Sequence, residues 1–229
     1  TTIYLKYSVR FRTEDNYTRF YIICNMWSNH FNNIFNTVNN NIHKSAVEKA
    51  LSECKESINV SVTEISDSIK RLKTGKAAGL DKLQAEHLIF AGNKLSVLLS
   101  LLISCIFSHG YLPTKLTDTV LIPLIKSKTG DITDCNNYRP IAIATAISKL
   151  IELVILDRIE DFLVTTDNQF GFKKSHSTDM CLYVFKQVIE YYKKHSSPIF
   201  VCYLDASKAF DRVNHWTLFN KLIDKNIPL

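Results

Sequence analysis

Asp205 closes an apolar run, Ile199-Phe-Val-Cys-Tyr-Leu204, and Asp211 follows six residues later. A run of this kind reads as a strand buried on both faces. A carboxylate at its carboxyl end is held at a fixed depth with solvent on one side, the setting in which Mg²⁺ is shared between protein oxygens and substrate phosphates. The residues alone leave a second reading open, since an Asp after a strand also serves as a turn former or helix cap. Other chemistries find less support. The six cysteines, at 24, 54, 105, 135, 181 and 202, form no C-x-x-C pair and have no histidine at zinc-ligand spacing, so they read as free thiols of an intracellular protein. His176, His195 and His215 have no second ligand nearby and take surface or capping roles. Neither a G-x-x-x-x-G-K-S/T loop nor a G-x-S-x-G elbow is present, which disfavours a P-loop NTPase or an α/β-hydrolase.

The elements that must position Asp205 are mostly helical. Ser45-x-x-Glu48 and Ser61-x-x-Glu64 both have capping-box spacing and predict two short helix starts. The second helix places Val62, Ile65, Ile69 and Leu72 on one face, carries Lys70 and Arg71 at its end, and stops at Gly75. A segment near 82–91 and an apolar stretch over 94–109, closed by Gly110 and Pro113, read as further helices. Residues 119–125 form an apolar run broken by Pro123, which predicts an edge strand or a bulge. After a loop, residues 141–145 read as extended, and 148–163 and 178–194 as helices. Asn214 is placed to cap a last helix. Alternation over Ile3 to Phe11 suits a strand, whereas Phe20 to Phe35 shows no clean period and is left unassigned.

The 229 residues, 46% of them apolar, supply ample material for a core. A net charge of +6, most of it after residue 70, permits a polyanionic partner without requiring one. The 95–107 stretch is shorter than the roughly 20 residues needed to cross a bilayer and is interrupted by Ser100 and Ser104, so no membrane partner is expected. The chain starts at Thr1 without Met and stops directly after a helical pattern, as a piece of a longer protein would. With no leader in front of them, the N-x-Ser/Thr sites at Asn16 and Asn59 read as chance matches, and the expected location is cytoplasm and nucleus.

Four blocks in order carry a family resemblance: Lys76-Ala-Ala-Gly79-Leu-Asp81; Leu121-Ile-Pro-Leu-Ile-Lys126 with Asn137-Tyr-Arg139-Pro140-Ile and Ser148-Lys149-x-x-Glu152; Asn168-Gln169-Phe-Gly171-Phe172 with Ser177-Thr178; and Leu204-Asp205-x-x-Lys208-Ala-Phe210-Asp211-x-Val213. Over about residues 70–229 the chain resembles the reverse transcriptases of non-LTR (LINE-type) retrotransposons. The resemblance implies an α+β fold, in which a helix-rich fingers subdomain of a right-hand polymerase leads into the first strand and helix of a palm whose sheet is incomplete. Residues 1–60 would form an N-terminal extension without an assigned role, 61–195 the fingers region, and 196–229 the start of the palm.

The resemblance also implies site roles. Asp205 would be the first catalytic carboxylate and a metal ligand, with the Ala206 carbonyl beside it and Mg²⁺ as the cofactor of a two-ion site. Phe210 would sit under the incoming sugar and exclude a 2′-hydroxyl by shape; an ordinary core phenylalanine is its alternative. Arg139 would grip the nucleotide triphosphate, a task for a permanently charged fork, with Lys126 assisting. Gln169, Gly171, Phe172, Lys173 and Lys174 would lie against the template. Lys208 and Asp211 would orient the loop, and Gly79 and Asp81 would serve a turn and a helix cap. The partners implied are an RNA template, a DNA primer and deoxynucleoside triphosphates.

Two-metal phosphoryl transfer needs at least two convergent acidic groups, and the family's aromatic-Ala-Asp-Asp hairpin is absent, since the chain holds no Asp-Asp dipeptide. The expectation is therefore a polymerase part that is inactive alone, with the apolar run before Asp205 lacking partner strands. The alternative is a decayed or domesticated nucleic-acid-binding remnant without catalysis.

Overall fold

The computed structural model of the protein describes residues 3–5, 14–35, 41–53 and 58–227. The described elements are β1 (Ile3–Leu5), α1 (Glu14–Phe35), α2 (Asn41–Glu53), α3 (Val62–Lys70), α4 (Ala85–Phe90), α5 (Asn93–His109), α6 (Thr114–Thr117), β2 (Thr119–Ile125), β3 (Tyr138–Ile143), α7 (Ala146–Ile159), α8 (Thr178–Lys194) and α9 (His215–Asp224). The architecture is a helix-rich α+β one, as expected. The chain divides into two compact units, one formed by residues 1–159 with 211–229 and the other by 160–210.

The core of the first unit follows from the amphipathic spacing of α3. Ile65, Ile69 and Leu72 pack with Leu99, Ile103 and Ile106 of α5 and with Leu150, Ile151 and Val154 of α7. Ser61 starts α3 as a capping box: its hydroxyl accepts from the Glu64 N–H at 3.1 Å, and its own N–H donates to Glu64 Oε2 at 2.8 Å. The other carboxylate oxygen of Glu64 accepts from Arg158 Nε at 2.9 Å, which ties α7 to the start of α3. Ser100 and Ser104, which interrupt the apolar α5, have a structural use. Ser100 donates to the carbonyl of Val60 at 2.7 Å, and Ser104 accepts from its N–H at 2.8 Å, so the main chain of a buried residue outside any helix or strand is satisfied by side chains. Gly110 ends α5 in the left-handed conformation, with its N–H on Phe107 O.

The other expected helices form with small shifts. The segment near 82–91 becomes α4, α7 starts at Ala146, α8 spans Thr178–Lys194 behind an Ser177 cap, and Asn214 caps α9 through the Thr217 N–H at 2.9 Å. The start expected at Ser45 is corrected. α2 already begins at Asn41, and the Ser45 hydroxyl donates back to Ile42 O at 2.9 Å, as a serine inside a helix does. Residues 20–35, left unassigned, belong to α1. Trp27, Phe31 and Ile34 are buried at helical spacing, and exposed Ile22, Ile23, Met26 and Phe35 obscured that period.

The sheet has the order β1-β2-β3. β1 runs parallel to β2 from Ile3↔Thr119 to Leu5↔Leu121, and β2 runs antiparallel to β3 from Val120↔Ile143 to Ile125↔Tyr138. The expected edge strand is thus central over its first three residues, where β1 pairs with it, and beyond them it pairs with β3 alone among the described residues. Of the strand expected over residues 3–11, Ile3–Leu5 forms and residues 6–11 lie outside the described residues. Pro123 faces Pro140 across the ladder. Lys126 N–H donates to Asn137 O at 2.8 Å, so 126/137 is a hydrogen-bonded pair. Such pairs alternate with non-bonded ones. The two prolines therefore face each other where neither strand needs an N–H. On one face of this hairpin, Leu121 and Tyr138 pack against Trp27, Phe31 and Ile34 of α1.

The strand expected over Ile199–Leu204 does not form. Residues 199–204 take no helix or strand conformation, and Phe200 and Leu204 are more than nine-tenths exposed. A strand exists only through the partners that take its N–H and C=O groups, and none pairs with this run among the described residues.

Candidate functional site

Arg139 and Lys126 come together on the hairpin. Arg139 lies opposite Leu124 in the ladder, and the Lys126–Asn137 bond carries the register one pair further. Cross-strand partners and residues two apart share a face, so Lys126 and Arg139 lie on the same side, opposite the face covered by α1. Arg139 is exposed, and its guanidinium makes no hydrogen bond or ion pair among the described residues. Lys126 is partly committed, donating to Asn136 O at 2.7 Å.

The loop between the strands is held by Asn137. Its Nδ2 donates to the carbonyls of Ser127 and Asp131, both at 3.1 Å, while its Oδ1 accepts from Ser127 N–H at 3.2 Å. Asp131 accepts from the hydroxyl and then the N–H of Thr133, and these bonds hold its carboxyl below the usual carboxylate range. Sequence reading quoted Asn137 only as part of a motif and missed this clamping role. An asparagine facing a five-residue polar turn is the signal that pointed to it.

The 76–81 block packs against the start of α7. A Cβ on Gly79 would lie 2.9 Å from Thr145 Cα and 3.1 Å from Ala144 O, so this glycine permits close backbone approach. Asp81 accepts from Leu83 N–H at 3.1 Å in a turn, and Gln84, not Asp81, caps α4.

In the second unit, Asp205 and Ala206 lie in an exposed loop after the unpaired 199–204 run. The Asp205 carboxylate has no hydrogen bond or ion pair among the described residues. As hard oxygen donors, this carboxylate and the Ala206 carbonyl suit Mg²⁺ in kind. They do not suffice in number, since no group of three or more histidines, cysteines or acids gathers anywhere among the described residues. Phe210 is 75% exposed. Its ring meets that of Phe172 edge to face, with centroids 5.4 Å apart. The structure thus brings the expected sugar gate and the 169–172 turn together. In that turn, Gln169 Nε2 donates to Gly171 O at 3.0 Å, and Phe172 takes a left-handed backbone with φ of 56°. Lys173 is tied inward, donating to Thr166 O at 3.2 Å, whereas the side chain of Lys174 is 87% exposed.

Residues 125–229 match the family described as "Reverse transcriptase (RNA-dependent DNA polymerase)". The chain is 30% identical over 167 residues to "RNA-directed DNA polymerase from mobile element jockey" of Drosophila funebris, a match spanning 71% of this chain and 18% of that protein. It is 27% identical over 170 residues to "Probable RNA-directed DNA polymerase from transposon BS" of Drosophila melanogaster, spanning 71% and 18%. A third relative, "Retrovirus-related Pol polyprotein from type-1 retrotransposable element R2" of Popillia japonica, is 30% identical over 116 residues, half of this chain and 16% of the other. The chain therefore spans less than a fifth of the length of these relatives. Every residue given a metal, nucleotide or template role lies within the 125–229 stretch that matches the reverse transcriptase family, and the relatives to which the chain is similar are RNA-directed DNA polymerases of non-LTR retrotransposons.

Proposed function

We propose that this chain is the nucleotide-gripping part of an RNA-directed DNA polymerase, which in the full-length protein copies a primed RNA template from deoxynucleoside triphosphates. The observation that carries the reading is Arg139, whose guanidinium has no partner among the described residues and sits on the face of the hairpin opposite the one braced by α1. A permanently charged fork with no counter-ion among the described residues suits a triphosphate, which offers paired oxygens to it. Lys126 on the same face adds a second cation.

In this reading, residues 61–195 act as fingers and 196–229 open the palm of a right-hand polymerase, with 1–60 as an extension. Asp205 and the Ala206 carbonyl would be among the ligands of Mg²⁺, which when bound would stabilise the charge that develops on the reacting phosphoryl oxygens. Phe210, leaning on Phe172, limits the room beneath the sugar. Gln169, Gly171 and Lys174 face the template, and Lys173 steadies the turn. One carboxylate cannot hold two divalent ions a few Å apart, so the 229-residue chain by itself is expected not to extend a primer.

The test is primer extension on an RNA template by the full-length protein. Asp205→Asn abolishes extension, and Arg139→Ala raises the KM for deoxynucleotide at least tenfold while leaving primer–template affinity unchanged. Wild-type extension by the Asp205→Asn protein would remove the catalytic assignment.

A further inference from the structure

Two sequence blocks without a role so far meet in one cleft of the first unit. Lys76, from the 76–81 block, and Lys149 with Glu152, from the start of α7, line a cavity of about 620 Å³ together with Arg71, Lys73 and the outer residues of β3. Among the described residues Lys73, Lys76 and Lys149 form no ion pair, whereas Arg71 is paired with Asp157. Most of the remaining lining is aliphatic: Leu72, Leu83, Leu153 and Leu156 with small alanines, and no aromatic ring.

The β3 side of the cleft adds main-chain groups. The ladder register makes Leu121↔Ala142 a non-bonded pair, so the N–H and C=O of Ala142 point away from β2, toward an edge of the sheet on which no strand pairs among the described residues. Ala142 and Ile141 are exposed. The cleft thus offers a donor and an acceptor of one edge residue, an aliphatic floor and a rim with three uncompensated ammonium groups.

We propose that this cleft docks an acidic peptide segment in extended conformation, which pairs with Ala142, sets apolar side chains on the leucine floor and places its carboxylates among Lys73, Lys76 and Lys149. The rim charge by itself suits a polynucleotide as well. Two features favour the peptide. A single-stranded nucleic acid gains its affinity by stacking bases on rings, and the cleft has none. An edge residue with both groups open matches a peptide backbone, which supplies both complements. Pro140, two residues earlier, has no N–H and limits the pairing to a short stretch.

The test uses the 229-residue chain and a fluorescein-labelled nine-residue peptide of alternating Glu and Val, read by anisotropy at low salt. Saturable binding is expected, weakened at least tenfold by Lys76→Glu with Lys149→Glu and by Leu156→Asp, and unchanged by Lys128→Glu on the β2–β3 loop. Circular dichroism melts of each variant separate lost docking from lost folding. Slowed hydrogen exchange at the Ala142 amide on binding gives a readout that does not depend on the variants. Absence of saturable binding, or equal affinity for the Lys-Val counterpart, overturns the proposal. So does a twelve-nucleotide oligouridylate whose binding alone is lost in the double Lys→Glu variant. Because no polymerase activity is measured, this outcome is independent of the reverse transcriptase reading.

Discussion

Replacing Gly79 by alanine puts one methyl group where the backbone of the α7 start already stands. Its Cβ would lie 2.9 Å from Thr145 Cα, 3.0 Å from Thr145 N and 3.1 Å from Ala144 O. Comfortable carbon contacts begin at about 3.5 Å, so each approach is short by several tenths of an ångström. None of the three atoms belongs to a flexible side chain. Thr145 is itself fixed, since its hydroxyl accepts from Ser148 N–H at 3.1 Å and Ser148 in turn donates to Leu116 O. The clash must therefore be relieved by moving the 76–81 loop or the first turn of α7. Overpacking of a tight site costs about 1–3 kcal/mol, which for a domain of this size lowers Tm by roughly 2–12 °C. Gly75→Ala is the matched control. At Gly75 nothing stands within 4 Å, but φ is +68°, so the cost there is conformational, about 1 kcal/mol. The assay is urea unfolding of both variants, with methyl chemical shifts of Leu150 and Val154 as a local report. A Gly79→Ala protein within about 0.5 kcal/mol of wild type, with unmoved α7 methyls, would refute the claim that this contact fixes the loop on α7.

Three other outcomes follow from the same geometry. Burial pushes the Glu64 carboxyl up, but the bonds from Ser61 and Arg158 outweigh it and hold the group below the usual carboxylate range; its contribution to stability is present above the unfolded pKa and disappears as pH falls through the lower folded value. Melting curves between pH 3 and 6 should show a steeper acid limb for wild type than for Glu64→Gln, and equal slopes would contradict this. Ile103→Ala, at a fully buried position of α5, should cost about 2–5 kcal/mol in urea unfolding, against less than about 0.5 for exposed Leu98→Ala on the same helix. In the full-length polymerase, Phe210→Val should raise ribonucleotide incorporation, and unchanged discrimination would end its assignment as the gate.

Much of the first unit was legible because its signals are local. The Ser61/Glu64 pair, the Gly110 stop and the Asn214 cap each act within a few residues, and the structure uses all three. α1 was not legible, since exposed apolar residues surround the buried Trp27, Phe31 and Ile34, and the partner that distinguishes them, the β2–β3 hairpin, lies some ninety residues later. Ser45 shows the limit of a spacing rule: Ser-x-x-Glu reads the same at a helix start and inside a helix, where Glu48 meets Lys44 at 3.8 Å instead. The run before Asp205 was read correctly as apolar and wrongly as a strand, because pairing depends on residues elsewhere. The site roles at Arg139, Asp205 and Phe210 came from family resemblance. What the fold added is that Arg139 has an open face and that the Phe210 ring has Phe172 as a neighbour.

The division of the chain makes residues 160–210 an insertion, since the chain leaves the first unit after Ile159 and re-enters it at Asp211. Re-entry is marked by α9 packing on α2, where His43 and Thr217 are 2.9 Å apart and Lys44 lies over the Trp216 ring. Closing a loop of that length costs roughly 3–4 kcal/mol of chain entropy, which the α2–α9 contact has to exceed. The stretch carrying Asp205 is thus tethered at both ends to the same body. Its length can vary at a cost that grows only with the logarithm of the number of residues, whereas loosening α2 frees one end of the tether.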